Sequence, residues 1–254
     1  MIFPSNNISE HLSNLGLCQS DTVMIHGDAG VAAQYIFGNS SDPTSAFISH
    51  LLDYFNKGTV IVPTFTYSAT RGEVFAPEIT PSYVGQFSEK FRLMKGALRS
   101  RHPIFSVSCV GKHAQYFVDS VITDCFGEGT FFDKLYRNNV KILTLGCSLD
   151  RVTFVHFVEQ SLNVPYRYFK HFKGSIEENA TAEDVNVRYF VRRLDLDTNL
   201  DLSDLEEEAM RLKTLIKKPF GRFPARLIFS KDFFEVSAAL IQRNEYALIQ
   251  EGKS

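Results

Sequence analysis

The feature that most limits how this chain can fold is a repeated alternation. Short β-branched apolar runs, TVMIH (22–26), GTVIVPTFTY (58–67), PIFSVSCVG (103–111) and VKILTLG (140–146), are separated by stretches of helical texture. Such runs read as strands buried on both faces, and the intervening helices cover those faces. The pattern predicts an α/β fold: a mixed central sheet flanked by helices, with any ligand site beyond the carboxyl ends of its strands. Asp42-Pro43 opens a helix that closes before Gly58. Gln86 to Lys95 reads as a second helix, and Thr130 starts a third with capping-box spacing to Asp133. Asp150 is the expected N-cap of the next helix, and Ser230 that of a last one running to Leu248.

After about residue 165 the texture changes. PYRYFKHFKG and VNVRYFVRRLDLD look antiparallel, so residues 165–230 read as a β-rich extension within a single domain spanning 1–254. The acidic stretch 195–208 reads as a solvated loop and helix start.

Composition excludes several function classes. With 27 basic and 29 acidic residues the net charge is -2, and no basic block is long enough for a nucleic-acid groove. The N-terminal segment has neither a basic start nor a continuous apolar stretch, and no window approaches ~18 apolar residues. The expectation is a cytoplasmic protein, monomeric or homodimeric, with no nucleic-acid or membrane partner. Four widely spaced cysteines (Cys18, Cys109, Cys125, Cys147) show no metal-ligand pairing, and no metal is expected.

One apolar segment holds two groups that are costly to bury. In VTFVHFVEQ (152–160), Thr153, His156, Glu159 and Gln160 fall on one helical arc, opposite Val155, Phe157, Val158 and Leu162. His156 and Glu159 are three apart and can be neighbours. A carboxylate beside an imidazole raises its basicity and fixes its tautomer, which equips a general base. A buried histidine satisfied by its helical neighbour explains the same spacing. A di-iron reading of H-x-x-E lacks the second copy that it needs. Cys147, after the strand 140–146, reads as a buried thiol, because LTLGCSLD lacks the glycine that follows the nucleophile of a tight elbow.

Two further constellations accompany this pair. In LRSRHPIFSVSCVG (98–111), Arg99, Arg101 and His102 precede a strand on which Ser106 and Ser108 alternate with apolar residues. Such a corner can hold a phosphate or a pantetheine-like chain, or it can be a plain solvated loop. MIHGDAG (24–30) has glycines that permit close backbone approach, or that simply make a turn.

Taken in order, these pieces resemble the aminoglycoside 3-N-acetyltransferase family, whose antibiotic N-acetyltransferase fold is distinct from the GNAT fold. VMIHGDAG is similar to the family's first strand and H-S-S segment, with Gly27-Asp28 in place of the serines. GTVIVPTFTYS resembles its P-T-F-T segment. Arg99-Ser100-Arg101-His102-Pro103-Ile104-Phe105-Ser106 resembles its R-S-x-H-P-x-x-S stretch, and Thr153, His156 and Glu159 its T-x-x-H-x-x-E segment. The resemblance implies an acyl-CoA-dependent N-acyltransferase with acetyl-CoA, or a related acyl-CoA, as co-substrate. His26, Gly27, Asp28, Arg99, Ser100, His102, Ser106 and Val107 would bind the coenzyme. Thr66, Tyr67, Thr153 and Arg192 would face the acceptor. His156, supported by Glu159, would deprotonate the acceptor amine for direct attack on the thioester.

The acceptor stretch departs from the family. Drug-modifying members carry acidic residues after a tyrosine in the extension, where this chain has Arg188-Tyr189-Phe190-Val191-Arg192-Arg193. Arginines there repel a polycation and suit a phosphate. The expected acceptor is therefore a negatively charged amino sugar, such as a nucleotide-linked one. The alternative is an aminoglycoside 3-N-acetyltransferase conferring antibiotic resistance, with carboxylates of Asp195–Glu208 folded over the site. A coenzyme-binding protein without catalysis and a Cys147-dependent thiol hydrolase are the remaining readings.

Overall fold

The computed structural model describes residues 2–253. In chain order the elements are β1 (Phe3–Pro4), α1 (Asn7–Asn14), β2 (Thr22–Gly27), β3 (Tyr35–Ile36), α2 (Pro43–Tyr54), β4 (Thr59–Pro63), β5 (Val74–Phe75), α3 (Gln86–Arg92), β6 (Leu98–Arg99), β7 (Val107–Gly111), α4 (Ala114–Val118), α5 (Phe131–Arg137), β8 (Lys141–Leu145), α6 (Val155–Ser161), β9 (Arg167–Glu178), β10 (Thr181–Arg192), α7 (Ser203–Arg211), β11 (Leu215–Phe220), β12 (Phe223–Phe229) and α8 (Ser230–Arg243). Short 3-10 turns join some of them.

The main sheet has seven strands in the order β11-β12-β8-β2-β4-β7-β6. β2 runs parallel to both β4 and β8, and the flanking pairs are antiparallel. This is the mixed sheet expected from the alternation. Side chains of β2 alternate between two apolar cores because the strand is covered on both faces. Val23 and Ile25 pack with Val60, Leu143 and the α2 residues Phe47 and Leu51, whereas Met24 packs with Ile61, Ile142 and the layer holding Phe154, Val158 and Phe233.

Several boundaries differ from the periodicity reading. The strand expected over 58–67 stops at Pro63, and that over 103–111 begins only at Val107. Between them the chain leaves the ladder. Thr64 N–H donates to Ser106 O, and the N–H groups of Thr66 and Tyr67 to Ile104 O, so two loops are clamped together. Asp42 and Thr130 cap α2 and α5 as expected, through Ser45 N–H and Asp133 N–H. Asp150 does not cap α6; its carboxylate accepts from Leu202 N–H and the Ser148 hydroxyl. Ser230 is the first residue of α8 rather than its cap, its hydroxyl being drawn to Leu135 O, and α8 ends at Arg243.

The region 165–230 divides. β9 and β10 pair antiparallel from Arg167↔Arg192 to Glu178↔Thr181, and with β5 they make a separate three-stranded sheet. β11 and β12 instead complete one edge of the main sheet. No helix among the described residues is long and apolar enough to cross a membrane.

Candidate active site

The three parallel strands end at Gly27, Pro63 and Leu145, and the turns that follow them converge on the first turn of α6. Beyond those ends lie two clefts. One, of about 730 Å³, is lined by His26, Gly27, Asp28, the Gly85–Ser88 start of α3, Cys147 and Thr153. The other, of about 800 Å³, is lined by β9 and β10 residues, including Tyr168, Lys170, Tyr189 and Arg192. His156 lines both clefts, as do Tyr67, Asp150 and Arg151.

Local sequence explains how His156 reaches this junction. Val155, Phe157 and Val158 bury the apolar side of α6, which turns the imidazole to the opposite side. Its Nδ1 lies 2.6 Å from Glu159 Oε2, the contact expected from the i,i+3 spacing. Glu159 is fully buried, and it receives two groups that the sequence reading missed. Tyr166 hydroxyl donates to Oε1 at 3.0 Å, and Arg167 Nε pairs with Oε2 at 2.7 Å. Burial pushes the Glu159 carboxyl up, but Arg167, His156 and Tyr166 together outweigh it and hold the group below the ordinary carboxylate value. For His156, burial and then Arg167 pull the imidazole down, against Glu159, so it stays neutral below its usual value.

Of the residues expected at the coenzyme, His26, Gly27 and Asp28 reach the smaller cleft. Gly27 is required there: a Cβ would stand 2.9 Å from the Phe87 ring. His26 Nε2 is buried with no partner among the described residues, and burial pulls the ring to about 4. Thr153 lies in this same cleft rather than the acceptor-side one. Cys147 also lines it, but burial, aided by Asp28, pushes its thiol up to about 11, and Sγ–H donates to His26 O. A protonated thiol is a poor nucleophile.

The corner from Arg99 to Val107 lies apart from these two clefts. None of Arg99, Ser100, His102, Ser106 and Val107 lines either cleft. Most of their polar groups bond to the backbone, but Arg99 Nε has no partner among the described residues, and Arg99 with Arg101 lines a third cavity of about 780 Å³. Arg99 donates to Pro77 O, Thr80 O and Thr64 O, and burial, with Arg92 nearby, pulls it to about 9. Ser100 hydroxyl accepts from Val107 N–H, and Ser106 hydroxyl donates to Thr64 O. His102 Nδ1 accepts from the N–H groups of Ile104 and Phe105, while Nε2 donates to Asp124 O. Thr66, expected at the acceptor, is fully buried and donates to Pro103 O. What this network delivers to the site is Tyr67, held at φ 56° with its ring against Phe105.

The acceptor-side arginines are also redistributed. Arg188 pairs with Asp124 and Arg193 with Asp195, so only Arg192 of the three faces the cleft. It is joined there by Arg151 and Lys170. No carboxylate among the described residues forms an ion pair with Arg151, Lys170 or Arg192. The stretch 195–208 does fold over this cleft, but with Thr198, Asn199 and Leu200 rather than its acids. No cluster of three or more His, Cys, Asp or Glu suited to a metal occurs among the described residues.

Comparison with known proteins then decides the family. Residues 32–242 match the family model described as aminoglycoside 3-N-acetyltransferase. The chain belongs to this family. Among curated relatives, aminoglycoside N(3)-acetyltransferase IX of Micromonospora chalcea is 26% identical over 195 residues, 68% of each chain. The fold is that of aminoglycoside acetyltransferase AAC(3)-Xa (TM-score 0.80, 22% identity, 94% of this chain and 93% of that one). It is equally that of AAC-IIIb in binary complex with CoASH (TM-score 0.79, 21% identity, 95% and 97%). The expected fold stands, the chain is an acyltransferase of this family, and the acyl-CoA co-substrate follows with it.

Proposed function

We propose that this protein transfers an acetyl group from acetyl-CoA to a primary amine of an amino-sugar acceptor, with His156 as general base. The observation that carries the reading is that His156, fixed by Glu159, is the imidazole shared by the two clefts. The smaller cleft fits the donor. Its side-chain-free Gly27 and the unpartnered His26 Nε2 offer close backbone approach and a hydrogen-bonding group for the coenzyme chain. The larger cleft fits the acceptor. His156 Nε2 takes a proton as the amine nitrogen attacks the thioester carbon; the C–N bond forms, the C–S bond breaks, and the thiolate leaves as the thiol of CoA with the proton that the imidazole gives up. Shared lining by Tyr67, Asp150 and Arg151 supports a reading in which donor and acceptor meet, with the proximity on which such transfers depend.

For the acceptor, the relatives' names support an aminoglycoside. A depression adjoining the acceptor cleft is lined by Asp150, Asp201, Glu206, Glu207 and Lys217, an acidic balance that favours ammonium groups even though Glu206 is already paired with Lys217 and Arg226. The second reading is an amino sugar that also carries a negative charge, such as a nucleotide-linked one. Arg151, Lys170 and Arg192 favour it, because cations without carboxylate partners repel a polycation and attract phosphate.

A thiol-release assay with acetyl-CoA against both acceptor classes tests the proposal. Turnover of aminoglycosides establishes the first reading, and turnover of nucleotide amino sugars alone establishes the second. Release of thiol with neither class, at the rate of hydrolysis without acceptor, overturns amine acetylation.

A further inference from the structure

The contacts around His156 raise a problem of protons. Nδ1 lies 2.6 Å from Glu159 Oε2 and 2.8 Å from Arg167 Nη2. It cannot both donate to the first and accept from the second. At 2.6 Å a bare nitrogen and a bare carboxylate oxygen repel, so one proton must lie between them. If Glu159 carries it, Nδ1 is the acceptor, Nε2 bears the hydrogen, and the ring presents a donor to the clefts. If Nδ1 carries it, Nε2 presents a lone pair, which is the form a base requires. The two arrangements differ by one bound proton, the first having hydrogens on Glu159 and Nε2 and the second only on Nδ1, and they have opposite chemistry.

Arg167 is placed to decide between them. Its side chain is 4% exposed, and its Nε lies 2.7 Å from the same carboxylate oxygen that faces Nδ1, an attraction of charge because the N–H is not aimed at that oxygen. Nη1 donates to Phe190 O at 3.1 Å, which locks the guanidinium to β10. We propose that Arg167 is a positioning residue that sets the charge of this pair: it holds Glu159 as the carboxylate, so the ring hydrogen lies on Nδ1, the Nη2 hydrogen of Arg167 turns away from it, and Nε2 is left bare for the acceptor amine. The inference rests on the reading of His156 as general base.

The same cation opposes a second proton on the pair. The His156–Glu159 pair carries one negative charge, and Arg167 balances it. An added proton removes the lone pair from Nε2 wherever it settles, on the imidazole or on the carboxyl. Other charged groups at the junction are Asp28, Asp150 and Arg151, with Lys170 and Arg192 across the acceptor cleft. Tyr67 and Tyr189 also line it, and burial pushes both phenols up, so they stay neutral. Among the charged groups of the described residues, Arg167 is the one that touches both members of the pair.

The test is the pH dependence of kcat in Arg167→Gln and Arg167→Lys. Loss of the cation lets the pair take its extra proton more readily. The acid limb of Arg167→Gln is therefore expected to move up by ~1 pH unit or more. Arg167→Lys keeps the charge and should stay within about a third of a unit of the parent, although its rate falls. An unmoved acid limb in Arg167→Gln, or equal movement in both variants, overturns the proposal. If Arg167→Gln does not fold, ¹⁵N shifts of the His156 ring in the unaltered protein decide, with assignment by the signal lost in His156→Gln. Hydrogen on Nδ1 at neutral pH supports the proposal, and hydrogen on Nε2 contradicts it. Failure of the base reading looks different: His156→Gln would then retain the parent rate whatever Arg167 does.

Discussion

The buried His102 and the partly buried His156 invite comparison, because both sit in the stretches that most resemble the family and their surroundings are opposite. His102 has both ring nitrogens committed to backbone groups of its own neighbourhood. His156 has one nitrogen committed to a carboxylate and the other side of the ring turned to two clefts. The difference is one of spare capacity. An imidazole that satisfies three backbone groups is a structural fastener, and one with a free nitrogen at a cavity is available for chemistry. The aromatic contacts link them: Phe105, beside His102, packs on Phe126, and Phe126 packs edge-on against His156. The first corner thus supports the second without entering it.

Exchanging the two histidines for alanine should separate these roles most sharply. His156→Ala is expected to lower kcat by roughly 10²–10⁴-fold with the fold retained, because a positioned base is lost. His102→Ala should instead cost about 3 kcal/mol or more in denaturant unfolding, since it strands two buried N–H groups and a carbonyl. Equal effects of both changes on stability and rate would erase the contrast.

Glu159→Gln sharpens it next. Arg167 would lose its buried counter-charge, so a stability loss of roughly 3–5 kcal/mol should accompany a lower rate. The change should still leave more activity than His156→Ala, because Glu159 acts through the imidazole. A fully stable Glu159→Gln would mean that the ion pair contributes little.

The pH dependence of stability comes third. Burial lowers His26 and His102 from 6.5 to about 4. Between those values the unfolded chain binds protons that the folded one refuses. Stability should therefore fall as pH drops from 6.5 towards 4 and level off below, by at most ~1.4 kcal/mol per pH unit for each histidine. His102→Asn should flatten part of that slope, as read by thermal melting; a pH-independent melting temperature across this range contradicts the burial argument. The smallest effect belongs to Cys147→Ser, which should reduce the rate less than ~10-fold, the thiol being protonated. Abolished activity there would reopen a covalent route.

How much of this was legible beforehand follows from the range of the interactions. β2, β8 and α6 could be read because apolar runs and helical spacing are local, and His156 and Glu159 meet because they share one helix turn. Arg167 and Tyr166 carried no signal: they reach Glu159 from the start of β9, and no spacing rule links a strand residue to a helix before it. The bonding within the Arg99–Val107 corner was illegible for a related reason. A row of Arg, Ser and His looks ready for a ligand, and nothing in the pattern reveals that backbone carbonyls and amides already occupy those groups. Charge in the acceptor stretch was half legible. Arg192 faces the cleft, but Arg188 and Arg193 are neutralised by Asp124 and Asp195, one distant in the chain and one adjacent.

The central claim is that donor and acceptor meet at His156. A crystal structure of the protein with CoA and a turned-over amino sugar tests it directly. The expected result is the coenzyme thiol in the cleft beside Gly27 and Cys147, and the acceptor nitrogen within hydrogen-bond reach of His156 Nε2. A coenzyme thiol lodged instead at the Arg99–Arg101 side, away from that imidazole, would contradict the account.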